Sequence, residues 1–261
     1  MLQIYNMKIC KLILFLLTFI HFSGCSTKKD INYISDFNRT SDFNYEYQEY
    51  KIKVDDILKI DVNSKNPEAS IEFNPRALNT SMSTNKTSLL YNGYIVNSQG
   101  EIIFPVFGRI YVKNKTVDEI RQMIYNLIKN GGYLKEPSVD VKLLNTSFTI
   151  LGEVASPGRY EYTENNMNIF KAIGMAGDLT ITGERKNIKI IRDLDGEREV
   201  KEIDLTSSDV FKNKYFQIQS GDIIIVNPNN ARVKNAGIIG NAGTLLSLLS
   251  FLLSSIIVIN R

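Results

Sequence analysis

Apolar and polar residues alternate along much of the middle of the chain, with the two-residue period of half-buried strands. We expect two strands over 50–62 that meet at an acidic turn formed by Asp55 and Asp56, and a hairpin over 94–104. Asp195 followed by Gly196, with alternating residues on both sides, predicts a second, tight hairpin. The further strands are predicted at 138–144, 148–154 and 216–226.

Two segments have a helical period instead. The apolar residues of 117–128 fall on one face of a helix, and Thr116 followed by Glu119 is typical of a capping box at its start. A shorter helix is predicted over 168–176. Similar strand-turn-strand phrases precede Ile57 and Ile223, which indicates two consecutive α+β units with related corners.

The N-terminal end has the three parts of a secretory signal: basic residues, an apolar run over 12–20, and small residues before a cleavage point. The run closes with Phe22-Ser23-Gly24-Cys25, which resembles a bacterial lipobox. We therefore expect a lipoprotein signal peptide over 1–24 and acylation of Cys25. Several acyl chains would give a stable lipid anchor. An ordinary signal peptide with a chance cysteine is the alternative. Residues 25–49 are polar and are predicted to be a tether.

The C-terminal end is uncharged between Lys234 and Arg261, and eleven of the fifteen residues over 245–259 are Leu, Ile, Val or Phe. This pattern predicts a transmembrane helix over 236–260. Small residues recur on one stripe of that helix, where they would pack against other helices or line a lumen. The stripe consists of Gly240, Gly243, Ser247, Ser250 and Ser254. A lone monomeric anchor is the alternative.

Composition excludes several kinds of chemistry. Removal of the signal peptide would also remove Cys10 and His21, the other cysteine and the one histidine of the chain. The remaining chain would then lack the side chains needed for Ser-His-Asp or Cys-His catalysis, for histidine-ligated zinc and for structural disulfides. We expect no metal and no cofactor. The 31 basic and 28 acidic residues nearly balance, which gives no electrostatic case for nucleic acid.

Seven phrases, in order along 50–227, resemble the polysaccharide biosynthesis/export family, the Wza-type outer-membrane lipoproteins. The most specific is Gly-Glu-Val-x-x-Pro-Gly-x-Tyr at 152–160. The others lie at 54–60, 100–108, 116–119, 137–141, 176–178 and 221–226. The resemblance implies a polysaccharide export domain over 50–145 and one β-grasp-like SLBB domain over 146–228, followed by the C-terminal helix. The expected fold class is thus α+β.

The same resemblance implies a function. It predicts an outer-membrane lipoprotein with its folded domains in the periplasm, a homo-oligomeric channel for a capsular or extracellular polysaccharide, and an inner-membrane co-polymerase of tyrosine-kinase type as partner. A monomeric periplasmic glycan-binding lipoprotein without a conduit is the alternative. A glycan hydrolase would need two separated acids. Asp55 and Asp56 are adjacent and are interpreted as an exposed turn, so we expect no enzyme.

Overall fold

The computed structural model describes residues 31–36, 47–74, 93–194, 196–229 and 242–259. Within these ranges the buried apolar side chains form two clusters. One cluster is built by residues of 50–143, here the first unit, and the other by residues of 147–226, here the second unit. The α+β class is confirmed, since both units combine strands with helices.

The first unit contains a three-stranded antiparallel sheet in the order β2-β1-β5 and a separate β3-β4 hairpin. Helix α2 packs against β5 and buries Ile120, Ile124 and Ile128. The predicted capping box is confirmed, because Thr116 and Glu119 bond reciprocally to each other's backbone N–H. The elements are β1 (Ile57–Asn63), α1 (Pro67–Ser70), β2 (Tyr94–Ile95), β3 (Glu101–Phe104), β4 (Gly108–Tyr111), α2 (Val117–Asn130) and β5 (Ser138–Leu143).

The second unit is a five-stranded mixed sheet in the order β7-β6-β10-β8-β9, in which β6 and β10 are parallel. Its elements are β6 (Ser147–Gly152), β7 (Gly158–Glu161), α3 (Ile169–Met175), β8 (Ile188–Leu194), β9 (Glu197–Ile203) and β10 (Ile223–Val226). The predicted tight hairpin is confirmed, since Leu194 pairs with Glu197 across the turn. Asn168 caps α3 through its side chain, which accepts from the Lys171 N–H.

Three strand predictions are wrong. Residues 50–54 form no strand, residues 216–222 form none before β10, and β2 pairs with β1 rather than with β3. The turn at 97–100 does form, because the Asn97 carbonyl accepts from the Gly100 N–H at 2.9 Å. However, the next turn brings β4 back onto β3, so β3 has its partner there and β2 joins the other sheet.

The predicted transmembrane helix over 236–260 is also wrong. Helix α4 covers Ala242–Ile259, which are 18 described residues. Among the residues that the structure describes, no helix combines the length and the apolar character that a membrane crossing requires. The first part of the predicted span, 236–241, lies outside those residues.

Residues 31–36, part of the predicted tether, lie against the second unit. The Ile34 N–H donates to the Leu205 carbonyl at 3.0 Å and the Ser35 N–H to the Thr206 carbonyl at 2.7 Å. The Tyr33 ring packs edge-on against Phe170 at 5.7 Å. We call this segment the N-terminal strap.

Candidate functional site

The two corners that the sequence relates are alike in structure. In each, an aspartate closes a four-residue turn by accepting the backbone N–H of the residue three positions earlier. The Asp56 carboxylate accepts from Lys53 at 2.8 Å, and the Asp222 carboxylate accepts from Gln219 at 2.8 Å. The residue before each aspartate has a positive φ, +68° at Asp55 and +88° at Gly221. The predicted likeness of the two corners is confirmed.

Asp56 is not the exposed turn residue that the sequence suggests, because it is 5% exposed. Its carboxylate accepts the Tyr50 hydroxyl at 3.0 Å in addition to the Lys53 N–H. Burial raises the pKa of Asp56 to about 6, and the two hydrogen bonds only partly oppose this. Burial and the neighbouring Asp56 carboxylate together raise the pKa of the Tyr50 hydroxyl, so it stays a donor.

Asp222 is buried as well, but with a cation beside it. The Arg192 guanidinium donates to both carboxylate oxygens, at 2.9 and 2.8 Å, and to the Gln217 carbonyl at 2.7 Å. The guanidinium carbon also lies 4.6 Å from the centre of the Tyr215 ring. Because the contact is bidentate and a further guanidinium N–H reaches the Gln217 carbonyl, the cost of burying both charges is largely offset.

Both corners face the contact between the two units, here the interdomain junction. The Lys53 ammonium donates to the Asp193 carbonyl at 2.9 Å. Gln217 bonds twice to the backbone of Gln48, accepting its N–H at 3.0 Å and donating to its carbonyl at 2.8 Å. Burial lowers the pKa of Lys53, although Asp222 and Asp56 oppose that shift. The junction therefore joins the units through directional hydrogen bonds.

A cleft of about 470 Å³ opens beside the interdomain junction and is lined by both units. Lys51, Lys53 and Asn114 come from the first unit, while Leu194 and Gln219 come from the second. Asp56 and Asp222 do not line it. Each carboxylate is held by donors of its own unit, and the hydrogen bond from Lys53 to the Asp193 carbonyl braces the two units against each other.

A larger groove of about 880 Å³ runs along helix α2 on the first unit. Its apolar lining consists of Phe107, Met123, Leu127 and Tyr133. Gln122, Asn126 and Asn130 add amide groups at intervals of four residues. This surface is not among the sites predicted from the sequence. The sequence features that could have indicated it are the recurring amides beside an apolar helical face and the Gly131-Gly132-Tyr133 phrase that follows.

The predicted site residues do not lie at either cleft. Cys25 and Gly240 fall outside the described residues. Gly243, Ser247, Ser250 and Ser254 lie on α4, where the Ser250 hydroxyl donates to the Leu246 carbonyl and the Ser254 hydroxyl to the Ser250 carbonyl. Their role in packing against other helices stays a prediction. Within the described ranges, no group of three or more His, Cys, Asp or Glu is placed to hold a metal ion.

Known proteins resemble both units. The family of polysaccharide biosynthesis/export proteins matches residues 44–144, and the SLBB domain matches residues 147–201. The EPS I polysaccharide export outer membrane protein EpsA of Ralstonia solanacearum is 29% identical over 140 residues, which cover 52% of this chain and 36% of that protein. The protein of the same name from Ralstonia nicotianae is 33% identical over 105 residues, 39% of this chain and 27% of the relative.

The chain thus matches about a third of the length of these curated relatives. The two matched families follow one another along the chain, and each falls on one of the two hydrophobic cores. On these grounds residues 44–144 are a domain of the polysaccharide biosynthesis/export family, and residues 147–201, which follow, match an SLBB domain.

Proposed function

We propose that this protein is an outer-membrane lipoprotein subunit of an oligomeric channel that exports a capsular or extracellular polysaccharide. The observation that carries the proposal is the succession of an export domain and an SLBB domain on two adjoining folded units. Both relatives are named as polysaccharide export outer membrane proteins, which supports the outer membrane as the location.

The braced interdomain junction supports a conduit role, because a subunit that contacts neighbouring copies and a moving polymer must keep its two units in one arrangement. Large apolar side chains on helix α4, such as Leu246 and Phe251, are more than 60% exposed. Contacts between copies would cover them. The proposal includes a homo-oligomer, an inner-membrane co-polymerase of tyrosine-kinase type as partner, and no catalytic step on the polymer.

A monomeric periplasmic glycan-binding lipoprotein is the second candidate. It accounts for the SLBB match but gives no reason for the exposed apolar residues of α4. The mass of the full chain extracted in mild detergent separates the two candidates. A defined multiple of the subunit mass supports the conduit, whereas a monomer at all concentrations favours the binding protein.

Deletion of the gene tests the export role directly. We expect surface polysaccharide to fall and polymer to accumulate inside the cell envelope, with both effects reversed by the full chain. Because the proposal includes no catalytic step, incubation of the polysaccharide with purified protein should leave the length of the polymer unchanged. Unchanged surface polysaccharide in the deletion strain would contradict the proposal.

A further inference from the structure

We propose that the groove along helix α2 binds the exported polysaccharide, with Tyr133 as a stacking platform for a sugar ring and Gln122, Asn126 and Asn130 as partners for sugar hydroxyls. This inference rests on the proposed function and assigns it a contact surface on the first unit.

The platform is held in place by its neighbours. The Tyr133 ring meets Phe107 edge-on at 5.3 Å and Phe73 edge-on at 6.0 Å, and Tyr133 is still 49% exposed. Gly131 makes this position possible, because a Cβ there would lie 2.5 Å from Cε2 of the ring. An aromatic face that is fixed and half exposed can receive the C–H groups of a sugar, since its π-system is negative on the face.

The amides provide repeated polar contacts along one line. Gln122, Asn126 and Asn130 are exposed and follow each other at four-residue spacing, which is about 6 Å along the helix axis. The Gln122 side-chain amide donates to the Asn126 side-chain oxygen Oδ1 at 3.3 Å, so these two side chains point the same way. Each amide offers both donors and an acceptor, which matches the mixed character of sugar hydroxyls.

The charges around the groove favour a sugar over a phosphate-bearing ligand. The charged residues that line it are one base, Lys115, and one acid, Glu119. The Glu119 carboxylate is engaged by the Thr116 N–H at 2.8 Å. A phosphate-binding surface would instead collect several cations. The volume of about 880 Å³ is in the range of known ligand sites. Because the groove is shallow, an extended polymer can lie along it.

The absence of tryptophan from the chain allows a selective reporter. Tyr133→Trp places a single tryptophan at the platform and keeps an aromatic face. Tyr111, 50% exposed on β4, does not line the groove and provides the matched control, Tyr111→Trp. The full chain of each variant is titrated with polysaccharide purified from the cells that make the protein. We expect a saturable change in emission for Tyr133→Trp and none for Tyr111→Trp.

The affinity of each variant for the polysaccharide is then measured by filter binding or by calorimetry. Tyr133→Ala should weaken binding roughly threefold to tenfold, and Asn126→Ala should weaken it by a similar factor, while Tyr111→Ala should bind like the unaltered protein. Circular dichroism and the melting temperature establish that each variant is folded. Gly131→Ala is a second test, because it displaces the ring without removing it.

The possible failures are distinguishable. If the unaltered protein binds the polysaccharide and Tyr133→Ala binds equally well, the groove is overturned and the export function stands. If the unaltered protein does not bind the polysaccharide but gene deletion still blocks export, the proposed binding groove is contradicted and the export function stands. If deletion leaves export intact, the proposed function fails. A change in tryptophan emission with protein concentration alone would assign the groove to contact with a second copy.

Discussion

Asp56 and Asp222 occupy the same position in two similar turns, yet only Asp222 has a guanidinium against its carboxylate. Both accept a backbone N–H at 2.8 Å from the residue three positions earlier. The partner of Asp222 is Arg192, whereas the partner of Asp56 is the neutral Tyr50 hydroxyl. One local turn has thus been combined with two different solutions to burying a carboxylate.

Asp56 should make the protein less stable as the pH rises. An unfolded aspartate has a pKa of about 3.9, and burial raises the pKa of Asp56 to about 6. Between about pH 4 and 6 the unfolded chain has lost a proton that the folded protein keeps. The free energy of unfolding should therefore fall across this window by up to about 3 kcal/mol and be level above it. Asp56→Asn should lack this fall in urea unfolding. Identical pH profiles would contradict the assignment.

The buried pair of Arg192 and Asp222 should be strongly coupled. Removing one partner, by Arg192→Met or Asp222→Asn, should lower the free energy of unfolding by about 3–5 kcal/mol, because the other charge is left buried. The double variant should lose much less than the sum of the two. The exposed pair of Lys212 and Asp209, also 2.8 Å apart, is the control, with a coupling below about 1 kcal/mol. Additive losses at Arg192 and Asp222 would refute the coupling.

Gly152 should not accept any side chain. Its φ is +94°, and a Cβ would lie 2.0 Å from the Val226 carbonyl oxygen on the neighbouring parallel strand. We expect Gly152→Ala to lower the free energy of unfolding by about 4 kcal/mol or to prevent folding of the second unit. Gly174 is the matched control, because no described atom lies within 4 Å of its Cβ position in helix α3. Gly174→Ala should stabilise by about 1 kcal/mol, and equal effects at both positions would be contrary to this structure.

Cys25 should carry the lipid, as the sequence predicts. Cys25→Ser should abolish labelling by a fatty-acid analogue and release the N-terminal end from the membrane fraction. Cys10→Ser is the control and should keep the label, since residue 10 belongs to the predicted signal peptide. Labelling that persists in Cys25→Ser would contradict the assignment, because it would show that another position is acylated.

Sequence reasoning succeeded where the determining contacts are local. The capping box at Thr116 and the tight turn at Gly196 each depend on residues only a few positions apart. Their chemistry can be read from short phrases. The same holds for the likeness of the two corners.

It failed where the sequence does not show which side chains meet. The phrase around Asp56 gives no sign that Tyr50 covers its carboxylate, and the sequence before Ile223 does not reveal that Arg192, 30 positions earlier, reaches Asp222. The pairing of β2 with β1 was missed because β3 has a neighbour along the chain on each side, β2 and β4, and the sequence does not show that it pairs with β4.

The N-terminal strap changes how mechanical load would pass through the molecule. The strap belongs to the second unit, the following residues build the first, and the chain then returns to the second. The backbone therefore crosses between the units twice, so the first unit is in effect an insertion and cannot swing about one linker as a domain on a single hinge would. A pull on the N-terminal end is borne first by the contacts of Tyr33, Ile34 and Ser35 with the second unit. The first unit, with its groove, is shielded from that force as long as those contacts hold.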